Sequence, residues 1–105
     1  MSDAVLILTT APDDERAERI AGTLVEEGLA ACVNVLPPMT SIYRWKGSVE
    51  RDAERQLVIK STRERVDALR ARIAALHSYE LPEFLVISIE GGSDAYLKWL
   101  GEQTR

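Results

Sequence analysis

The chain opens on an uninterrupted apolar run at residues 4–8, which predicts a strand inside a sheet, covered on at least one face. Pro12 and the acids Asp13, Asp14 and Glu15 follow, setting negative charge at the positive end of a helix dipole and marking a helix start. Ala17, Ile20, Ala21, Leu24 and Val25 then recur at helical spacing as far as Gly28, a natural stop. A second strand is expected from about Ala30, with Ala31, Val33 and Val35 on one face and Cys32, Asn34 and Leu36 on the other. Pro37-Pro38 interrupts it, yet residues 40–45 resume the extended pattern. The spacing therefore predicts one long edge strand with a kink or bulge. Lys46-Gly47-Ser48 supplies a turn, and a third strand is expected over residues 54–60, where Leu57 and Ile59 share a face. Ser61 and Glu64 fit a capping box for a second helix striped by Val66, Leu69, Ile73 and Leu76. Residues 84–89 predict a fourth strand, broken by Gly91-Gly92. Ser93 then caps a short closing helix that carries Tyr96, Leu97, Trp99 and Leu100.

The order of elements is βαββαβ plus a terminal helix, with no linker, low-complexity segment or sequence repeat, so residues 1–105 are expected to form one domain. Two right-handed split βαβ units build a four-stranded antiparallel sheet in the order 4-1-3-2, with the helices on one face. This is the α+β, ferredoxin-like architecture. Its second strand lies at an edge and is longer than the sheet requires. A long edge carrying Ile42, Tyr43 and Trp45 invites pairing with another chain, and a homo-oligomer is the expected outcome.

Composition narrows the function. A net charge of −4 lacks the basic footprint of general nucleic-acid binding. No apolar run approaches the roughly 20 residues of a membrane span. Met1-Ser2-Asp3-Ala4 lacks the basic flank of a signal peptide, and a single cysteine makes no internal disulfide, so a cytoplasmic protein is expected. One Cys and one His leave few options for soft-ligand chemistry. Cys32 lies in the strand-like run Leu29-Ala30-Ala31-Cys32-Val33-Asn34-Val35, and His77 opens the cluster His77-Ser78-Tyr79-Glu80-Leu81-Pro82-Glu83.

These stretches carry a resemblance. Leu29-Ala30-Ala31-Cys32-Val33-Asn34, Pro37, Ser41-Ile42-Tyr43-Arg44-Trp45-Lys46-Gly47, Glu54, Leu57, Lys60 and the His77 cluster, with Thr9 and Pro12, closely resemble the CutA family of divalent-cation tolerance proteins. The family usually has Pro where this chain has Ser78, and often Thr where it has Ser61. The resemblance implies a stable homotrimer of ferredoxin-like subunits, similar in assembly to PII-type signalling proteins. It also implies a link to copper tolerance and divalent-cation binding. Cys32 and His77 match the family positions proposed as metal ligands. Tyr43, Trp45, Glu54, Lys60, Tyr79 and Glu80 match positions that the resemblance places in clefts between subunits.

Each residue also has a plainer role. Cys32 suits Cu(I) as a thiolate, or is a small buried hydrophobe. His77 is either a metal ligand or a C-terminal helix cap bonding nearby carbonyls. In the expected topology the two lie at opposite ends of the sheet, and one strand spans roughly 17–20 Å, so they share an ion only across subunits. Glu80 and Glu83 are hard-ion ligands or solvated loop acids. Glu54 and Lys60 pair across an interface or blunt an exposed edge. Tyr43 and Trp45 line a ligand cleft or pack an interface, and Tyr96 and Trp99 are expected only to pack.

The leading reading is a trimeric copper- or other divalent-cation-binding protein with a role in tolerance or regulation, and not an enzyme. A scaffold that anchors an unknown protein partner, or a PII-like small-ligand sensor, is the alternative. No nucleophile–base–orienter set and no Gly-rich phosphate loop supports a hydrolase.

Overall fold

The computed structural model describes residues 3–105. Met1 and Ser2, which entered the reading of the N-terminus, lie outside the described residues. The elements run β1 (Ala4–Ala11), α1 (Asp14–Glu26), β2 (Cys32–Val35), β3 (Met39–Trp45), β4 (Ser48–Thr62), a 3-10 turn (Arg63–Arg65), α2 (Val66–Leu76), β5 (Leu85–Ser88) and α3 (Asp94–Gln103). The five strands form an antiparallel sheet in the order β2-β4-β1-β5, with β3 pairing β4 beyond β2.

The expected sheet of four strands is therefore corrected to five, because the expected second strand is two strands. Pro37 and Pro38 supply no N–H, and the ladder to β4 breaks after the Leu36 N–H donates to the Gln56 carbonyl at 2.9 Å. The Arg55 side chain braces the gap. Its Nε donates to the Leu36 carbonyl at 2.5 Å, and its guanidinium pairs with Asp14. The third strand is more than twice as long as expected, since pairing starts directly at the turn, with Trp45 opposite Ser48. Lys46 and Gly47 both take positive φ, 48° and 85°, as a two-residue hairpin turn of the mirror-image type requires. Charged residues from Glu50 to Arg55 hide this strand from a hydrophobicity reading, but register holds them extended.

Two further expectations change. Ser61 caps no helix: it is the penultimate residue of β4, and its buried hydroxyl donates to the Leu29 carbonyl at 2.6 Å. The first strand runs on to Ala11 and the fourth shortens to Leu85–Ser88. Helix α1 starts as expected, with the Asp13 Oδ1 accepting the Arg16 N–H at 2.8 Å. Ser93 likewise caps α3 by accepting the Tyr96 N–H at 3.2 Å.

Alternation gives the sheet two unlike faces. One carries Val5, Ile7, Leu57 and Ile59, on which Ala17, Ile20 and Leu24 of α1 and Leu69, Ile73 and Leu76 of α2 pack. Residues paired directly across strands share a face, which puts Leu6, Leu8, Val58, Leu85 and Ile87 together on the other side. Only α3 lies there, at one end, with Leu100 buried beside Ala4 and Ala31. Its Tyr96 and Trp99 are not core residues: both are exposed, with ring centroids 5.3 Å apart. Leu85 and Ile87 are 53% and 45% exposed. No helix among the described residues is long and apolar enough to cross a membrane.

Thr9, fully buried on the core face, has a hydroxyl with no hydrogen-bond partner among the described residues. Replacing that hydroxyl by a methyl of similar shape removes a desolvation cost of about 1–3 kcal/mol. Thr9→Val is expected to raise the urea midpoint at unchanged m-value. A lowered midpoint would mean that the hydroxyl finds a partner in the assembled protein.

Candidate functional site

The register of the β3–β4 hairpin sorts its side chains. Met39 faces Glu54, Ser41 faces Asp52, and Tyr43 faces Glu50. These residues lie on the same side of the sheet as Gln56, Thr10 and the open apolar row. The segment after α2 folds back against the base of this arm. A cleft of about 780 Å³ lies between them, with Tyr43, Trp45, Glu54, Tyr79, Glu80 and Glu83 among its walls.

Side-chain contacts hold that segment to the sheet. The His77 ring meets the Thr10 carbonyl through Nε2 at 2.6 Å, and its Nδ1 accepts the Tyr79 N–H at 3.2 Å. A carbonyl only accepts, so Nε2 carries the proton and both ring nitrogens are engaged. His77 therefore acts as a local clamp: it bonds a carbonyl of β1 in place of its own helix, and its ring lies 4.5 Å from that of Tyr79. The Tyr79 hydroxyl donates to Glu54 Oε2 at 2.5 Å. The Gln56 amide donates both to Glu83 at 3.0 Å and to the Thr9 carbonyl at 2.7 Å, tying the segment to β1. At the rim, the exposed Lys46 Nζ lies 3.5 Å from Glu80 and 5.5 Å from the Trp45 ring centroid.

The structure thus gathers six of the named residues, sets His77 beside them, and leaves two elsewhere. Cys32 and Lys60 are paired across β2 and β4. Lys60 Nζ sits 6.0 Å from the Tyr96 ring, and the half-buried Cys32 has the Asn34 amide 3.9 Å from its sulfur. His77 meets β1 at Thr10, opposite Gln56, four residues along β4 from Lys60. At about 3.3 Å per residue this is roughly 13 Å, too far for one ion to hold both Cys32 and His77 in a single chain. Among the described residues no group of three His, Cys, Asp or Glu side chains could hold a metal. The donor set of one chain does not fit a resident ion.

Sequence reasoning missed Asp52, Gln56 and Met39. The signal was the period of two that runs back from Glu54, legible once β4 is extended to the Lys46-Gly47 turn.

The acids set the phenols. The hydrogen bond to Asp52, reinforced by desolvation and by the charges of Asp52 and Glu50, pushes Tyr43 up to about 12. Burial, then the bond to Glu54 and its charge, holds Tyr79 above the ordinary tyrosine range. A phenol raised in the folded state stabilises it fully below its unfolded value near 10, and that contribution is lost as pH rises through the folded value. Stability is expected to fall from about pH 10 through 12, and less steeply in Tyr79→Phe. Denaturant titrations at fixed pH check this, and identical slopes would contradict it.

A family model described as "CutA1 divalent ion tolerance protein" matches residues 5–103. The "Divalent-cation tolerance protein CutA" of Pectobacterium atrosepticum is 45% identical over 105 residues, covering 100% of this chain and 96% of that protein. "Protein CutA 1, chloroplastic" of Oryza sativa is 41% identical over 102 residues, covering 97% of this chain but only 58% of that longer protein. The crystal structure of CutA from Xylella fastidiosa superposes with a TM-score of 0.96 at 43% identity, over 99% of this chain and 100% of that one. By sequence over nearly its whole length, and by fold, the chain belongs to the CutA1 divalent-ion tolerance family.

Proposed function

We propose that the protein is a cytoplasmic homotrimer, built from one domain per chain, that binds copper or another divalent cation in metal-ion tolerance. The observation that carries the assembly is the open face of the sheet. Leu6, Leu8, Val58, Leu85 and Ile87 form an apolar row that α1 and α2 do not cover. The β3–β4 arm extends that face as a two-stranded ribbon, and Ile42, paired with Arg51 on the arm's other face, is 59% exposed. A lone ribbon is marginal in water, and a contiguous apolar face of this kind marks an association site. Three copies related by a closed rotation bury such a face without leaving a free edge.

The cation half of the reading is supported by the family, whose description and relatives name divalent-ion tolerance. Cys32 offers the soft donor that suits copper, and it lies on the open face, opposite Lys60. Because one chain offers no converging donor set, a copper site draws on more than one subunit. The function is binding, not catalysis. The cleft favours a second reading, in which the trimer is a small-ligand sensor or a scaffold for another protein and its metal uptake is incidental.

Native mass spectrometry of the intact protein, titrated with copper and zinc beside Cys32→Ser, tests the metal half. A trimer that takes up a fixed number of copper ions, lost on substitution, is the expected result. Uptake without stoichiometry, equal in the variant, would overturn it and leave the scaffold reading. The double substitution Leu85→Lys and Ile87→Lys puts two charges into the proposed interface and is expected to give a folded monomer by size-exclusion chromatography.

A further inference from the structure

The cleft holds a charge imbalance that metal binding does not resolve. Glu54 is 8% exposed, and its hydrogen bond from the Tyr79 hydroxyl brings no positive charge. Neither Glu54 nor Glu83 has a lysine or arginine at ion-pair distance among the described residues. A carboxylate held out of water without a counter-charge is costly, and a cation entering the cleft relieves that cost.

The walls indicate what kind of cation. A hard divalent ion takes about six to eight converging oxygens, whereas the acids here are spread along a cleft and tied separately to Tyr79, Gln56 and Lys46. A volume of about 780 Å³ is that of a small-molecule site and far exceeds one ion. Tyr43, Trp45 and Tyr79 supply aromatic rings, which attract weakly hydrated organic cations through their negative faces. Met39, Leu81 and Pro82 give apolar surface for carbon chains.

The rim already shows the chemistry. Lys46, an alkylammonium belonging to the chain itself, lies between the Glu80 carboxylate and the Trp45 ring. The same pairing of acid and ring continues inward to Glu54 and Tyr79, where no lysine or arginine among the described residues lies at ion-pair distance.

We propose that this cleft binds an organic cation, an alkyl- or methylammonium compound, with Glu54 and Glu83 as counter-charges and Tyr43, Trp45 and Tyr79 as the aromatic wall. This goes beyond the metal reading and does not depend on it. Three carboxylates in the walls exclude an anionic ligand, so a nucleotide or free phosphate is the wrong chemistry for the site.

The test uses the intact assembled chain in a Trp99→Phe background, so that Trp45 is the sole tryptophan, with a chelator present to remove metal ions. Fluorescence is titrated with 1,4-diaminobutane and tetramethylammonium, and in parallel with neutral 1,4-butanediol. Magnesium chloride is titrated without the chelator. Saturable binding of at least one ammonium compound, with no response to the diol, is expected. Glu83→Gln and Trp45→Leu should each weaken it by about tenfold. Glu80→Gln, at the exposed rim of the cleft, should weaken it less, and an unchanged circular-dichroism spectrum and thermal midpoint in each variant exclude a folding defect. An equal response to the diol, a response to magnesium alone, or binding unchanged in Glu83→Gln would overturn the proposal. So would the lack of any saturable response up to tens of millimolar, because a neighbouring subunit's side chain would then be the counter-charge of Glu54.

Discussion

The ladder of β4 is the constraint on which the molecule depends. Its fifteen residues pair with β1 from Arg55 to Thr62, with β2 from Leu57 to Lys60, and with β3 from Ser48 to Glu54. Because side chains alternate strictly along a strand, one ladder fixes two surfaces at once. The odd positions Leu57 and Ile59 enter the core under α1 and α2. The even positions run Glu50, Asp52, Glu54, Gln56, Val58 and Lys60, passing from an acidic arm, through the cleft, to an apolar patch beside Cys32. A slip of one residue would exchange the two sets, driving Gln56 and Lys60 toward the core and Leu57 and Ile59 onto the open face.

Where the sequence was legible, two signals agreed. In α1, helical spacing, an acidic first turn and Gly28 all mark one element, and the helix is found between Asp14 and Glu26. Gly28 sits at φ 71°, a conformation that favours glycine at a helix end. The apolar stripe of α2 is likewise the one buried, but Ser61 does not cap it: its hydroxyl bonds the Leu29 carbonyl, and a 3-10 turn leads into the helix. The long strand was illegible for the opposite reason. From Val49 to Ala53 both sides of the arm face outward, so no hydrophobic alternation marks it, and only pairing across the Lys46-Gly47 turn holds it extended. The site followed the same rule. Tyr43, Glu54, Tyr79 and Glu83 were visible as residues, while their convergence came from register and from the clamp at His77, which no single window of sequence contains.

Geometry separates two kinds of cation chemistry in this chain. The soft donor Cys32 lies at one end of the open face, and His77 is engaged at the other through both ring nitrogens. An ion held by Cys32 must therefore find its other protein donors in a neighbouring copy. The cleft is different. It combines rings, carboxylates and apolar walls within one chain, and its positive partner at the rim is a lysine. Both depend on the same face of the sheet, and association through that face would bring neighbouring subunits to its boundary.

That shared face is left to self-assembly, and the mass of the protein in solution reads it out. Sedimentation equilibrium over a range of concentrations should give a single species of three times the 11.7 kDa chain mass. A species that stays at 11.7 kDa throughout would leave Leu6, Leu8, Leu85 and Ile87 in water and contradict the account.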